Sequence, residues 1–250
     1  MSALSAFPAD AAAPAPAAAP RMRVRVWDAP VRVFHWLIAL SFAGAWITAD
    51  SERWRALHVT LGYTVGGLVA FRLVWGLVGT RHARFASFVR GPRAVARYLG
   101  SLLRGRPEHH TGHNPAGALA IVALLGTAAL VVFSGWATYN ELWGGRLEDL
   151  HEGAANALIA LVGLHLAGVV VSSWLHRENL VAAMISGCKH GTPADSVRHA
   201  WRSVAALLLA AVLGFWWLQW QAPPGGGAGE RAVATGLPLM QLKRARRHDD

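Results

Sequence analysis

Four of the twelve histidines in this chain, His35, His58, His151 and His165, lie in or at the first turn of long apolar stretches. An ionisable ring is costly inside a bilayer, so it normally faces the interior of a helix bundle and has a partner there. His151 and His165 are 14 residues apart. On a helix that spacing gives roughly 21 Å of rise and returns both rings to nearly the same face. One helix would then offer an imidazole near each side of a membrane. Opposed imidazoles can hold a metal: zinc, where four ligands cluster, or a haem iron, where two rings occupy its axial positions. The other eight histidines, His82, His109, His110, His113, His176, His190, His199 and His248, read as loop residues.

The elements that must position these rings follow from composition. The 250 residues are 54% hydrophobic and only 15% charged, well below the roughly 25% charged residues of a soluble domain. The apolar residues gather in blocks near the ~20-residue length that crosses a bilayer. Four spans are expected, at about 31–49, 57–79, 115–139 and 151–175. Asn114 and Pro115 form a helix start signal for the third. A fifth candidate, at about 200–220, is only just long enough, and its Trp-rich end suits a membrane interface. The fold class expected is all-α, a polytopic membrane four-helix bundle with a fifth C-terminal transmembrane helix. Residues 1–22 read as a disordered Ala/Pro-rich extension without signal-peptide character, 23–190 as the membrane domain and 221–250 as a flexible basic tail.

Charge sets the expected orientation. Arg21, Arg23, Arg25 and Arg32 precede or open the first span. Arg81, Arg84, Arg90, Arg93, Arg97, Arg104 and Arg106 fill the loop between the second and third, against one acid, Glu108. Both regions are therefore expected in the cytoplasm. The net charge of +10 belongs to this pattern and does not require nucleic acid. Within the long loop, Val95, Leu99, Leu102 and Leu103 share one helical face, as in a helix lying in the membrane interface.

Depth then pairs the histidines. The second span carries His58 in its first turn on the non-cytoplasmic side, level with His151. His35 lies about 15 residues before the outer end of the first span, roughly 22 Å deep and level with His165. The expected pairs are His58 with His151 and His35 with His165. They are too far apart for one zinc site, and two separate bis-His haem sites fit better. Gly62, Gly66, Gly168, Ala39 and Ala43, on the same faces, are expected to leave room for flat macrocycles. Arg72, 14 residues after His58, falls at the depth of the inner pair, where a haem propionate is its natural partner. The single cysteine, Cys188, excludes an iron–sulfur cluster or disulfide within this chain, and the absence of C-x-x-C-H excludes attached c-type haem.

The motifs VRVFHW, LHVTLGY, FRLVWGLVGTRHARFASFV, GHNPAG and GLHLAGV, over about residues 25–190, resemble the bacterial cytochrome b561 and nickel-iron hydrogenase b-type cytochrome family. The resemblance implies a four-helix core with two haems b in a bacterial inner membrane. It also implies electron exchange with membrane quinone and with a redox partner such as a hydrogenase, a c-type cytochrome or a dehydrogenase. With both axial positions filled, electron transfer is the chemistry left to each iron, as in the electron-transfer subunit of a quinone-linked oxidoreductase. His113 and Arg72 are candidate quinone contacts. The competing reading is a non-redox membrane anchor or transporter subunit whose histidines are structural.

Overall fold

The computed structural model describes residues 22–104, 112–143 and 145–221. The N-terminal extension, part of the Arg-rich loop and the basic tail lie outside the described residues. Among the described residues, five helices are long and apolar enough to cross a membrane. They are α1 (Ala29–Ile47), α2 (Arg55–Val78), α5 (Pro115–Tyr139), α6 (Arg146–Leu175) and α8 (Arg202–Trp220). Three shorter helices, α3 (Phe85–Phe88), α4 (Pro92–Leu103) and α7 (Leu180–Ser186), lie between them.

Local signals explain where the long helices start. Asp28 caps α1 by accepting from the Val31 N–H at 2.9 Å, and Pro30 occupies the first turn, where its missing N–H costs nothing. Asn114 does the same for α5, accepting from the Gly117 N–H at 2.7 Å. The sixth helix begins at Arg146, five residues ahead of its apolar run. Glu148 and Asp149 sit in its first turn, where the helix dipole favours negative charge. His151 consequently lies inside a formed helix.

The helices pack in series. Helix α1 lies along α2, α2 meets α5, and α5 lies along α6, while α8 covers the outer side of α1. Leu208, Val212 and Trp216 are the α8 contribution to the cluster around Phe34, Leu37 and Leu68. Trp216 also donates its indole N–H to Thr64 Oγ1 of α2 at 2.9 Å. Large apolar side chains on the outside, such as Leu40, Ile47, Leu77, Leu164, Val170 and Trp174, remain exposed. That surface is what a lipid-facing bundle presents.

At the end of the bundle where α1 begins, the chain builds a cap that the sequence pattern did not announce. Strand β1 (Met22–Arg25) pairs antiparallel with β2 (Cys188–Gly191), with Met22 opposite Gly191 and Arg25 opposite Cys188. The N–H groups of Val26 and Trp27 both donate to Gly187 O. Gly187 has φ +82°, and a Cβ there would lie 2.7 Å from Trp27 O, so the join requires glycine. Ala29 N–H donates to Ala200 O, which brings the start of α8 beside the start of α1. Arg32 reaches across to donate to Ile185 O. Helix α4 packs on α5 and leaves Arg93, Arg97 and Arg104 exposed. This Arg-rich end and the opposite, far end are the two levels at which the histidines lie.

Candidate haem sites

At the far end the rings of His58 and His151 come together, their centres 6.2 Å apart and their planes nearly perpendicular at 85°. Each is held by a backbone carbonyl of a neighbouring helix. His58 Nδ1 lies 2.8 Å from Ala45 O of α1, and His151 Nδ1 lies 2.9 Å from Val131 O of α5. A carbonyl only accepts, so Nδ1 carries the proton in both rings and Nε2 keeps its lone pair. That tautomer is the one a metal-ligating histidine needs, with its other N–H fixed by an outer partner. Imidazole nitrogens bind first-row metals at about 2 Å. Two rings on opposite sides of one ion then stand about 6 Å apart, as these do.

The ring of His151 also presses on α5. A Cβ at Gly135 would lie 2.7 Å from its Cε1 and 2.8 Å from its Nδ1. Only glycine lets α6 bring this ring so close to its carbonyl anchor. Ser134, fully buried, flanks the same nitrogen at 3.4 Å.

At the Arg-rich end His35 lies in the first half of α1 and His165 in the second half of α6, both partly buried. His35 Nδ1 is buried and has no hydrogen-bond partner among the described residues. The same is true of Nη1 of Arg72, whose residue is 3% exposed. The Arg72 guanidinium rests over the ring of Phe85 at 4.8 Å. Asp28 is 1% exposed. Besides capping α1, it accepts from Trp75 Nε1 at 3.1 Å and Thr80 Oγ1 at 2.7 Å, both beyond Arg72 on the same chain segment.

His113 lies in the loop just before α5, with its ring centre 4.5 Å from that of Trp27 and 4.8 Å from that of Phe88. Burial pushes its pKa down to about 3, helped by the positive charges of Arg72 and Lys189. It is a neutral imidazole at ordinary pH. Lys189, on β2, is satisfied by Glu178 at 3.1 Å.

Between the two levels the bundle is closed by hydrocarbon. Leu158 stands seven residues from each of His151 and His165 on α6. It packs in one cluster with Val65 and Val69 of α2 and Ala128 of α5, with Ile38 and Phe42 of α1 around them. Among the described residues α6 lies closely along α5, whereas its backbone makes few close approaches to α1 and α2. Nothing approaches a Cβ built at Gly62 or Gly168 within 4 Å, so both positions are open. Gly66 is different: a Cβ there would lie 2.9 Å from Val132, and it serves the close approach of α2 to α5 rather than a slot. The donor set therefore fits haem: a far-end pair of imidazoles anchored through Nδ1, a buried Arg72 Nη1 without a hydrogen-bond partner among the described residues for a carboxylate, and an α6 with few close backbone approaches to α1 and α2. Among the described residues no group of three or more His, Cys, Asp or Glu could hold a bare metal ion.

Sequence reasoning singled out the four histidines and Arg72 as candidates but not Asp28, Gly135 or the two carbonyl anchors. Asp28 had a signal, an Asp ahead of Ala-Pro at a helix start. Gly135 had none, because its neighbour is on another helix.

Comparison with known proteins gives a consistent picture. Residues 26–187 match the family described as prokaryotic cytochrome b561. A "Probable Ni/Fe-hydrogenase B-type cytochrome subunit" of Rhodobacter capsulatus is 26% identical over 213 residues, covering 67% of this chain and 81% of that protein. Its namesake in Azotobacter vinelandii is 28% identical over 211 residues, covering 66% and 87%. The "Probable Ni/Fe-hydrogenase 1 B-type cytochrome subunit" of Escherichia coli (strain K12) is 26% identical over 143 residues, covering 46% and 60%. No solved structure matches the chain. Helix α8 lies beyond the matched residues.

Proposed function

Because the chain belongs to the prokaryotic cytochrome b561 family, and so is a haem b-binding membrane protein of electron transfer, we propose that it carries two haems b as a transmembrane wire. His58 and His151 hold the far-end haem, and His35 and His165 hold the one at the Arg-rich end. The observation that carries this reading is the far-end pair, two imidazoles whose ring centres are 6.2 Å apart and whose Nδ1 protons are both fixed by backbone carbonyls.

Bound haem supplies a one-electron couple at each level. The protein's part is to hold rings, charges and water in place. With a histidine pair holding each haem, no iron site would be left open for oxygen chemistry. Arg72 offers its unpartnered Nη1 to a propionate at the Arg-rich end. The Leu158 layer keeps water and protons from passing between the levels while electrons cross.

The Arg-rich end is cytoplasmic by the positive-inside rule, with the chain in a bacterial inner membrane. Membrane quinone meets the wire at that end, near His113 and Arg72, where protons reach water. The redox partner is a hydrogenase, the assignment favoured by what the relatives are called; a c-type cytochrome or dehydrogenase would fit the same wire. The test is a reduced-minus-oxidised absorption spectrum of the purified protein, followed by addition of a short-chain quinol. The expected result is b-type bands that the quinol reduces. A spectrum without b-type bands would leave the histidines as structural residues of an anchor or transporter.

A further inference from the structure

Asp28 is a charged side chain, 1% exposed, at the base of the proposed Arg-rich-end haem site. Ionised carboxylates accept only, and the three groups facing this one are donors: Val31 N–H at 2.9 Å, Trp75 Nε1–H at 3.1 Å and Thr80 Oγ–H at 2.7 Å. The first belongs to α1, one turn before His35. The second lies on α2 one turn after Arg72, and the third just past the end of that helix. A single carboxylate thus clamps the start of the His35 helix to the end of the Arg72 helix.

Its charge matters as much as its bonds. Asp28 and Arg72 are buried together at this end, Trp75 that bonds Asp28 being one turn after Arg72, yet the hydrogen bonds of Asp28 go to Val31, Trp75 and Thr80. Arg72 Nη1 remains without a partner. The carboxylate therefore offsets the buried positive charge from a distance without occupying the donor that a propionate would take. Two buried charges near one cofactor are also fixed electrostatic inputs to its potential, because a low-dielectric interior screens them little.

We propose that Asp28 is the positioning residue of the Arg-rich-end haem. It sets the approach of the His35 and Arg72 helices and, as a fixed negative charge, holds that haem's potential low. This rests on the two-haem reading above. The sign follows from charge: reduction adds an electron to the haem, so a nearby carboxylate disfavours the reduced form.

The test is a redox titration, followed optically, of full-length wild type, Asp28→Asn and Thr80→Val, each also in a His151→Ala background that isolates the Arg-rich-end haem. Asparagine still caps a helix, so α1 keeps its start while the charge and the Trp75 bond are lost. At fixed ambient potential the reduced-to-oxidised ratio of the Arg-rich-end haem should rise at least tenfold in Asp28→Asn, about 59 mV for a one-electron couple. The far-end haem should not move. Thr80→Val, which keeps the charge and loses one bond, should lower Arg-rich-end haem content with a smaller displacement. Selective loss of that haem in Asp28→Asn, with the far-end haem retained, also supports the assignment. Two wild-type steps with neither displaced, or both displaced equally, would overturn it. If Asp28→Asn yields no protein, an unaltered Thr80→Val would overturn it. A wild type that titrates as a single haem would instead defeat the two-haem reading.

Discussion

The nitrogen that a haem iron needs on His151 is free because Val131 O, a helix carbonyl, takes the other one. Gly135 makes this possible, since any side chain there would occupy the ring's place. Gly135→Ala should therefore displace the imidazole from its anchor. The expected outcome is a protein that folds, loses at least half of its far-end haem and keeps the Arg-rich-end haem, as read from haem content and the two optical components. Equal loss of both haems would show a general packing defect instead. At this scale the sequence was informative about residues that are costly where they stand, the four histidines and Arg72. It was silent about residues that matter through a neighbour on another helix. Gly135 looks like any small residue of a membrane span, and Gly66, which looked like cofactor space, turns out to pack on Val132.

Among the elements, α1, α2 and α6 carry the four candidate histidines, α1 and α5 each supply one carbonyl anchor, and α8 does neither. Helix α8 covers α1 through Leu208 and Val212 and bonds Thr64 through Trp216. Lipid could replace most of that contact, since helix association in a bilayer gains little from burying apolar surface. An inter-helix hydrogen bond there contributes only about 0.6 kcal/mol on average. A chain truncated after Ala200 should bind haem at the full-length ratio and melt a few degrees lower in detergent, measured by loss of the haem absorption band on heating. Absence of haem from the truncated protein would mean that α8 is part of the site. The long helices were legible because apolar length and capping signals such as Asn114-Pro115 are local. The β1–β2 pair was not, because it joins residues more than 160 positions apart through four-residue strands too short to show a pattern. Nor did the apolar run reveal the real start of α6, which the acidic first turn sets.

On the scale of the whole molecule, the arrangement is two histidine levels separated by an apolar layer centred on Leu158. Depth arithmetic anticipated the levels, since rise per residue is fixed by helix geometry. It could not anticipate the layer, which is assembled from four helices, or the few close backbone approaches of α6 to α1 and α2. The family match covers the levels and the layer alike, at residues 26–187. The central claim is that each level holds one haem, and haem-to-protein ratio by pyridine haemochrome measures it most directly. Wild type should give two haems per chain. His58→Ala and His151→Ala should each give one and leave the same optical component, while His35→Ala and His165→Ala should each give one and leave the other. A wild-type ratio of one or zero, or His58→Ala and His151→Ala removing different components, would contradict the account.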